Sequence, residues 1–260
     1  MKTKPQRLFQ VLITDRSPEA LTVTDAFQRN IESLKSTYPE AEYRRYGNDE
    51  LLDFLSENFP EPVLQTYRAL GPYAFKADLA RYCLLFIYGG LYSDLSYLHV
   101  RPIELDAQCE MVVFRDIPGH VSWATSNAII YAKPNSPILD RAIARVVQHF
   151  RAGYYGHFPL DPTGPYMFGR VLAETDNWTG IRFGDSPLLN VDGTGRHNIV
   201  KVMPTGEIVA IRNKTKNGQI TDLVAAGGND YIKLWTERRI WGEPEPNGLI
   251  KKLSSRFWVR

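Results

Sequence analysis

The sequence predicts an α/β protein with a mostly parallel central sheet, organised as one main domain. Its 260 residues are enough for a substantial core. The N-terminal part alternates strand, helix and strand patterns, which is typical of a parallel sheet. An almost entirely apolar helix over residues 75–88 then predicts an element buried inside the fold. A glycine pair leads from this helix into a strand with an acidic end, and ligands of α/β proteins bind beyond such strand ends.

The first strand, the first helix and the second strand follow one another directly. Residues 8–13 are apolar apart from one glutamine, and because this run is too short for the core of a signal peptide it predicts a strand. Residues 22–37 carry apolar side chains at helical spacing and predict an amphipathic helix, and residues 42–46 predict the second strand. The sequence leaves open whether Thr14 and Asp15, after the first strand, approach a nucleotide or only begin a turn.

The apolar helix carries three charges, all in its first half: Lys76, Asp78 and Arg81. A charge on a buried helix needs a partner, because transfer of an ion out of water is costly. Asp78 and Arg81 are three residues apart, so they can pair with each other. The alternative is that they bind a ligand.

The segment after the helix predicts a sharp stop and then a strand. Gly89 and Gly90 can adopt the positive φ that ends a helix, since glycine lacks the Cβ that penalises it. Side chains alternate faces along a strand, so Tyr92, Asp94 and Ser96 are expected on one side of it. That face would present a carboxylate and a hydroxyl to a ligand.

The rest of the chain contains further elements with candidate site residues at their ends. Helices are predicted at residues 48–55, 60–70 and 137–150 and after Pro165 and Asp230, and strands at residues 111–114, 128–132, 199–203 and 207–211. Asp116 follows one of these strands and is either a site residue or a loop acid paired with Arg115. Thr163 is interpreted as the cap of the helix that begins near Pro165.

Composition excludes several classes of protein. A formal charge of +2 is too small to indicate a nucleic-acid partner, which normally requires a clustered basic face. No apolar run approaches the roughly 20 residues that a membrane-spanning helix needs. Cys83 and Cys109 have neither metal-ligand nor disulfide spacing, so they predict reduced thiols in a cytoplasmic protein.

Residues 76–102 resemble the sugar-binding region of glycosyltransferase family 32, which includes yeast outer-chain mannosyltransferases and bacterial polysaccharide enzymes. They are also similar to the glucosylating domain of the large clostridial toxins. The matching residues are Ala77, Asp78, Arg81, Tyr82, Gly89, Gly90, Tyr92 and Asp94. The resemblance implies a single GT-A type nucleotide-sugar transferase domain over residues 1–225, with a C-terminal helix and a basic aromatic tail over residues 226–260. It also implies a retaining hexosyltransferase that uses a UDP- or GDP-sugar donor and a saccharide or other hydroxyl acceptor.

The resemblance also implies roles for individual residues. In the family, an aspartate and an arginine on the helix hold the donor sugar, and an Asp-x-Asp at the strand end holds nucleotide and metal. Carried onto this chain, Asp94 and Arg81 would be catalytic, and Asp78, Arg81, Tyr92, Asp94 and Ser96 would bind the donor.

The motif of this chain departs from that pattern, because Ser96 stands where the family has its second acid. Divalent cations prefer anionic oxygen ligands, so we expect a weakened Mn²⁺ or Mg²⁺ site that uses Asp94, the donor phosphates and Asp230. Two alternatives stay open. Basic side chains such as Lys233 replace the ion, or catalysis is lost and the chain is a degenerate module that binds a nucleotide sugar or glycan.

The C-terminal residues leave further alternatives. Gly227 and Gly228 could belong to a loop that closes over the donor, or they could precede a helix capped by Asn229 or Asp230. The tail over residues 250–260 mixes aromatic and basic residues, so it suits either an anionic membrane surface or packing on the domain. A structural role at a membrane is therefore a third functional hypothesis. The sequence does not predict an oligomeric state.

Overall fold

The computed structural model describes residues 2–15, 24–189, 198–214 and 229–242. Its strands are β1 (Arg7–Val11), β2 (Glu42–Tyr46), β3 (Gly90–Ser93), β4 (Tyr97–His99), β5 (Met111–Arg115), β6 (Thr125–Ala132), β7 (Ile181–Gly184), β8 (Val200–Val202) and β9 (Ile208–Arg212). Its helices are α1 (Asp25–Thr37), α2 (Asn48–Asn58), α3 (Glu61–Ala69), α4 (Tyr73–Tyr88), α5 (Pro137–Arg151), α6 (Pro165–Ala173) and α7 (Tyr231–Thr236). The expected domain boundary near residue 225, the glycine pair 227–228 and the tail 250–260 lie outside the described residues.

The central sheet has six strands in the order β2-β1-β3-β6-β5-β7. The pairs β1–β2, β1–β3 and β5–β7 are parallel, whereas β6 runs antiparallel to both of its neighbours. Strands β1, β3 and β5 therefore end at the same edge of the sheet. A smaller antiparallel sheet, β4-β9-β8, begins just after β3 ends. The predicted α/β class with a mostly parallel central sheet is confirmed.

Helix α4 lies in the main core, as its apolar sequence predicts. Leu79 and Leu84 of α4 are fully buried in one cluster with Val113 of β5 and Val146 of α5. The other face of the sheet packs against α1 and the smaller sheet, and Leu34 belongs to that second cluster. Among the described residues, no helix combines the length and the apolar character that a bilayer span requires.

The glycine pair ends α4 as predicted. Gly89 has φ 60° and Gly90 has φ 116°, both in the region that favours glycine. A Cβ on Gly89 would lie 2.6 Å from the side chain of Pro134, and one on Gly90 would lie 2.6 Å from the carbonyl oxygen of Arg7. Close approach and positive φ therefore both require glycine here, and the turn delivers the chain into β3.

The strand after the glycines is shorter than predicted. β3 ends at Ser93, and residues 94–96 form a turn into β4, a strand that the sequence analysis did not predict. The turn forms because the Asp94 N–H donates to the carbonyl oxygen of Ala128 at 2.7 Å and the Tyr97 N–H donates to that of Asp94 at 3.3 Å. The expectation that Asp94 and Ser96 share one strand face is therefore wrong.

Candidate active site

A chain of buried ion pairs lies at the carboxyl end of β3. One guanidinium nitrogen of Arg81, Nη2, is 3.2 Å from Oδ1 of Asp78, and the other, Nη1, is 3.1 Å from Oδ1 of Asp94. Nη1 also donates to the backbone carbonyl of Asn127 at 2.6 Å. The guanidinium lies over the ring of Tyr92 at 4.5 Å, and the Tyr92 hydroxyl donates to Oδ1 of Asp94 at 2.8 Å. Arg81 therefore joins the helix acid to the acid of the turn.

Asp78 is held from two further elements of the fold. The Asn127 amide, on β6, donates to Oδ1 of Asp78 at 2.8 Å, and the Thr163 hydroxyl donates to Oδ2 at 2.7 Å. The Tyr82 hydroxyl donates to the carbonyl oxygen of Thr163 at 2.9 Å. The prediction that Thr163 caps the next helix is wrong, because Gly164 occupies the N-cap position of α6. The Thr163 hydroxyl serves the buried carboxylate instead.

The three charged groups differ in their exposure. The side chain of Asp94 is 32% exposed, against 10% for Asp78 and 5% for Arg81, so Asp94 is the member that a ligand meets first. Burial raises the pKa of Asp78 to about 6, because the Arg81 charge and the hydrogen bonds lower it by less. Burial lowers the pKa of Arg81, but the carboxylates of Asp94 and Asp78 outweigh burial and hold that pKa above its ordinary range.

Helix α7 packs on the start of α4, beside this cluster. The rings of Phe75 and Tyr231 are 5.8 Å apart, and burial, followed by the charges of Asp78 and Asp230, raises the pKa of Tyr231. Asp230 caps α7, as the cap hypothesis predicts, by accepting hydrogen bonds from two backbone N–H groups at 2.9 and 3.1 Å. The side chain of Lys233 is 69% exposed, so it is a solvated helix lysine here.

The residues near Asp94 do not fit a preformed divalent-metal site. Oδ1 of Asp94 is already engaged by Arg81 and Tyr92. Ser96, in the turn, is 8% exposed and offers a hydroxyl where a second carboxylate would be needed. Within the ranges that the structure describes, no group of three or more His, Cys, Asp or Glu residues could hold a metal ion. An ion at Asp94 would therefore depend on ligands that a bound molecule supplies.

Two other acids lie at strand ends of the same sheet edge. After β1, Asp15 accepts a hydrogen bond from the hydroxyl of Tyr73, the first residue of α4. After β5, Oδ2 of Asp116 is 2.8 Å from Nδ1 of His120, and the side chain of Asp116 is 12% exposed. The alternative that Asp116 pairs with Arg115 is wrong, because Arg115 forms its ion pair with a different acid at 2.7 Å.

Lys201 is a buried cation that no sequence motif indicates. It is 1% exposed, and its Nζ donates to the hydroxyls of Ser126 at 2.6 Å and Ser186 at 2.7 Å. Burial lowers the pKa of Lys201 to about 8, although the charges of Asp116 and Asp94 raise it. The sequence signal was a lysine between two valines of a short strand, and that pattern does not show which face the lysine takes.

The sequence of this chain matches known glycosyltransferases over part of its length. Residues 24–113 match the family described as a glycosyltransferase sugar-binding region containing a DXD motif. The chain is 36% identical over 104 residues to an initiation-specific alpha-1,6-mannosyltransferase of Saccharomyces cerevisiae, which covers 38% of this chain and 21% of that protein. It is 26% identical over 160 residues to inositol phosphoceramide mannosyltransferase 3 of Schizosaccharomyces pombe, covering 58% of this chain and 43% of that protein.

A third relative is an uncharacterized glycosyltransferase of Acanthamoeba polyphaga mimivirus, 30% identical over 95 residues, which cover 36% of this chain and 38% of that protein. The matches thus span about a fifth to two fifths of these relatives. The solved structure named PaToxG Glycosyltransferase superposes with a TM-score of 0.52 at 16% identity, over 66% of this chain and 69% of that one. The predicted family resemblance and the GT-A type fold are both confirmed.

Proposed function

We propose that this chain, which matches the glycosyltransferase sugar-binding region over residues 24–113, transfers a hexose from a nucleotide-diphosphate donor to a hydroxyl of a glycan or other acceptor. The donor would be a UDP- or GDP-sugar, and the anomeric configuration would be retained. The observation that carries the proposal is the ion-pair chain from Asp78 through Arg81 to Asp94. It lies inside the matched region, at the sheet edge where α/β proteins bind ligands.

The three side chains would have different roles in donor binding, according to their exposure. Asp94, the most exposed of the three acidic and basic side chains, would contact the nucleotide sugar directly. Asp78 and Arg81 would bind hydroxyls of the transferred sugar, with charge-assisted hydrogen bonds worth about 1.5–3 kcal/mol each. Tyr92 is 1% exposed, so it would act on the donor through Asp94 and Arg81 rather than by touching it.

The proposed reaction moves the anomeric carbon from one oxygen to another. The bond between this carbon and the donor phosphate oxygen breaks, and its electron pair leaves with the nucleotide diphosphate. The acceptor oxygen forms the new bond on the same face and gives its proton to the departing phosphate. Arg81 is fixed by four partners before the donor arrives, so its charge can stabilise the departing diphosphate without reorganisation.

The proposed cofactor is Mn²⁺ or Mg²⁺, held weakly by Asp94 together with the donor phosphates and Asp230. The retained first acid of the motif supports this proposal. When bound, the ion would supply positive charge to the departing diphosphate.

A second candidate function is a degenerate module that binds a nucleotide sugar or glycan without turnover. The hydroxyl of Ser96, in place of the second acid, favours it.

The test is a panel of UDP- and GDP-sugars with the purified full chain. Donor binding stabilises a folded protein by about 2.7 kcal/mol at a hundredfold excess over Kd, which a thermal unfolding assay detects. Release of free nucleotide diphosphate then separates the two candidates. Stabilisation with release supports the transferase, stabilisation without release supports the binding module, and the absence of both contradicts both.

A further inference from the structure

A second cleft opens beside the candidate donor site, between the ends of β5 and β7. One cavity of about 450 Å³ includes Arg115, Asp116, His120 and Ser186 in its lining. A second cavity of about 250 Å³ has Trp123 and Trp178 in its wall, and it shares Arg115 and Ser122 with the first. We name this continuous surface the β5–β7 cleft. The larger cavity is in the range of about 300–1,000 Å³ that is typical of sites for small ligands.

The first cavity forms the polar end of the cleft. Oδ2 of Asp116 is 2.8 Å from Nδ1 of His120. The guanidinium of Arg115 forms an ion pair with Asp185 at 2.7 Å. Among the described residues, none donates a hydrogen bond to Oδ1 of Asp116. The polar end thus offers a carboxylate oxygen, an imidazole and an ion pair, which together can accept and donate hydrogen bonds to the hydroxyls of a ligand.

The second cavity forms the apolar end. Trp123 is 41% exposed and Trp178 is 47% exposed, and the ring of Trp178 lies 5.4 Å from that of Phe183. Gly169 of α6 allows this wall to form, because a Cβ there would lie 1.9 Å from the carbonyl oxygen of Trp123. The half-exposed indole of Trp178 gives an apolar surface of the kind on which the C–H face of a sugar ring can pack. The ring of Trp123, over which the guanidinium of Arg170 lies at 5.6 Å, borders this surface.

The polar end is connected to the candidate donor site through Lys201. Its Nζ donates both to Ser186, in the wall of the cleft, and to Ser126, which precedes Asn127 in β6. Asn127 in turn holds Asp78 at 2.8 Å. Asp94 and Asp116 follow β3 and β5, the two strands that flank β6, and both carboxylates act on the charge of Lys201. A ligand in the cleft would therefore have its polar end on the side of the donor site.

We propose that the β5–β7 cleft binds the acceptor, and that this acceptor is a saccharide of at least two rings. The reactive ring would place its hydroxyls at Asp116 and His120, and the next ring would pack on Trp123 and Trp178. The proposal rests on the proposed function, because the cleft can bind an acceptor only if the chain transfers a sugar. It adds to that function the place and the chemical class of the second substrate.

The test compares three probes by quenching of tryptophan fluorescence at millimolar concentration: methyl α-mannoside, an α-linked mannobiose and p-nitrophenyl α-mannoside. The first has one ring, and the other two have a second ring for the apolar end. Mannose is used because two relatives are named mannosyltransferases. The two-ring probes should bind about tenfold more tightly than the one-ring probe. Trp178→Ala should remove that difference, whereas Val100→Ala, at another exposed apolar residue, should preserve it.

The rate of donor hydrolysis without any acceptor is the reference, because it is measured with no saccharide in the cleft. Trp178→Ala and Asp116→Asn should each lower the ratio of transfer to mannobiose over donor hydrolysis about tenfold or more. Glu104→Gln, which changes an exposed carboxylate paired with Lys2, is the control for Asp116→Asn. Failure of all three probes to bind, or equal binding of the three, would overturn the acceptor cleft even if hydrolysis is robust. Absence of donor hydrolysis by the wild type would overturn the proposed function. The binding of the three probes would still show whether the cleft holds a saccharide.

Discussion

Thr163 and Asp78 are 85 residues apart in the chain, yet the hydroxyl of Thr163 donates a hydrogen bond to the carboxylate of Asp78 at 2.7 Å. Both side chains are buried, Thr163 completely. The contact links the segment before α6 to the first half of α4, so the position of the candidate sugar-binding acid depends on two distant parts of the sequence.

This contact makes the Thr163 hydroxyl a testable part of the site. Thr163→Val keeps the shape of the side chain but leaves Oδ2 of Asp78 without its donor, which should lower the free energy of unfolding by about 1–3 kcal/mol. Thr163→Ser should retain most of the stability. Thr205→Val, which removes an exposed hydroxyl that donates to Glu207 at 3.0 Å, should change stability by about 0.5 kcal/mol or less. Equal stability of Thr163→Val and the wild type in chemical denaturation would contradict this role.

The protonation of Asp78 should appear in the pH dependence of stability. Burial raises its pKa from 3.8 to about 6, so the folded chain holds this proton more tightly than the unfolded chain. The stabilising contribution is complete below about pH 4 and is lost as the pH rises through about 6, a change of about 3 kcal/mol. The difference in unfolding free energy between the wild type and Asp78→Asn should decrease by that amount over this range. Direct titration of the carboxyl group by NMR, with a midpoint near 4, would refute the expectation.

Lys201 should make the free energy of unfolding depend on pH in the alkaline range. Burial lowers its pKa from 10.5 to about 8, so the unfolded chain binds the proton more tightly than the folded chain. Between about pH 8 and 10.5 the free energy of unfolding should therefore rise by about 3 kcal/mol relative to that of Lys201→Met. Lys133→Met, at a lysine whose side chain is 42% exposed, is the surface control. A constant difference between the wild type and Lys201→Met across this range would show that the amine is not desolvated.

Local sequence patterns predicted the elements that carry the site better than the contacts that complete it. The apolar run of α4 and the stop at Gly89 and Gly90 were evident, because burial and positive φ depend on nearby residues. The end of β3 was misplaced, since it is set by a hydrogen bond from Asp94 to Ala128 of another strand. β4 and β7 were missed: their 3 and 4 residues show little alternation, although β8, which is as short as β4, was predicted.

The contacts that complete the site join residues far apart in sequence. Thr163 looked like a helix cap, because a threonine before Gly-Pro has that local pattern, and the carboxylate it serves lies 85 residues away. Lys201 reaches Ser126 across 75 residues. Such pairings follow from the packing of whole elements, which one sequence without an alignment does not specify.

The metal dependence of the proposed reaction follows from the single acid of the motif. Treatment with EDTA should abolish donor hydrolysis, and millimolar Mn²⁺ or Mg²⁺ should restore it, because the ion would be bound only together with the donor phosphates. Ser96→Asp should lower the metal concentration needed for half-maximal activity about tenfold, since a second carboxylate joins the ligands.

Two results would contradict that dependence. Full activity of the wild type in EDTA would show that fixed cations, Arg81 first among them, serve the diphosphate without a metal ion. Activity that appears in Ser96→Asp but is absent from the wild type with metal would identify the natural chain as the degenerate binding module.

The claim that the ion-pair chain acts on the donor is tested most directly by a rate. This is the rate at which Arg81→Ala releases UDP or GDP from the donor that the wild type uses. Arg81 joins Asp78 to Asp94, so its loss should lower turnover about tenfold or more. Asp94→Asn, at the more exposed end of the ion-pair chain, tests the same claim if Arg81→Ala folds poorly. Arg182→Ala, which breaks an exposed pair with Asp106, should retain the wild-type rate, since surface ion pairs contribute about 0–1 kcal/mol. A folded Arg81→Ala or Asp94→Asn variant with wild-type turnover would contradict the account and place the sugar site elsewhere.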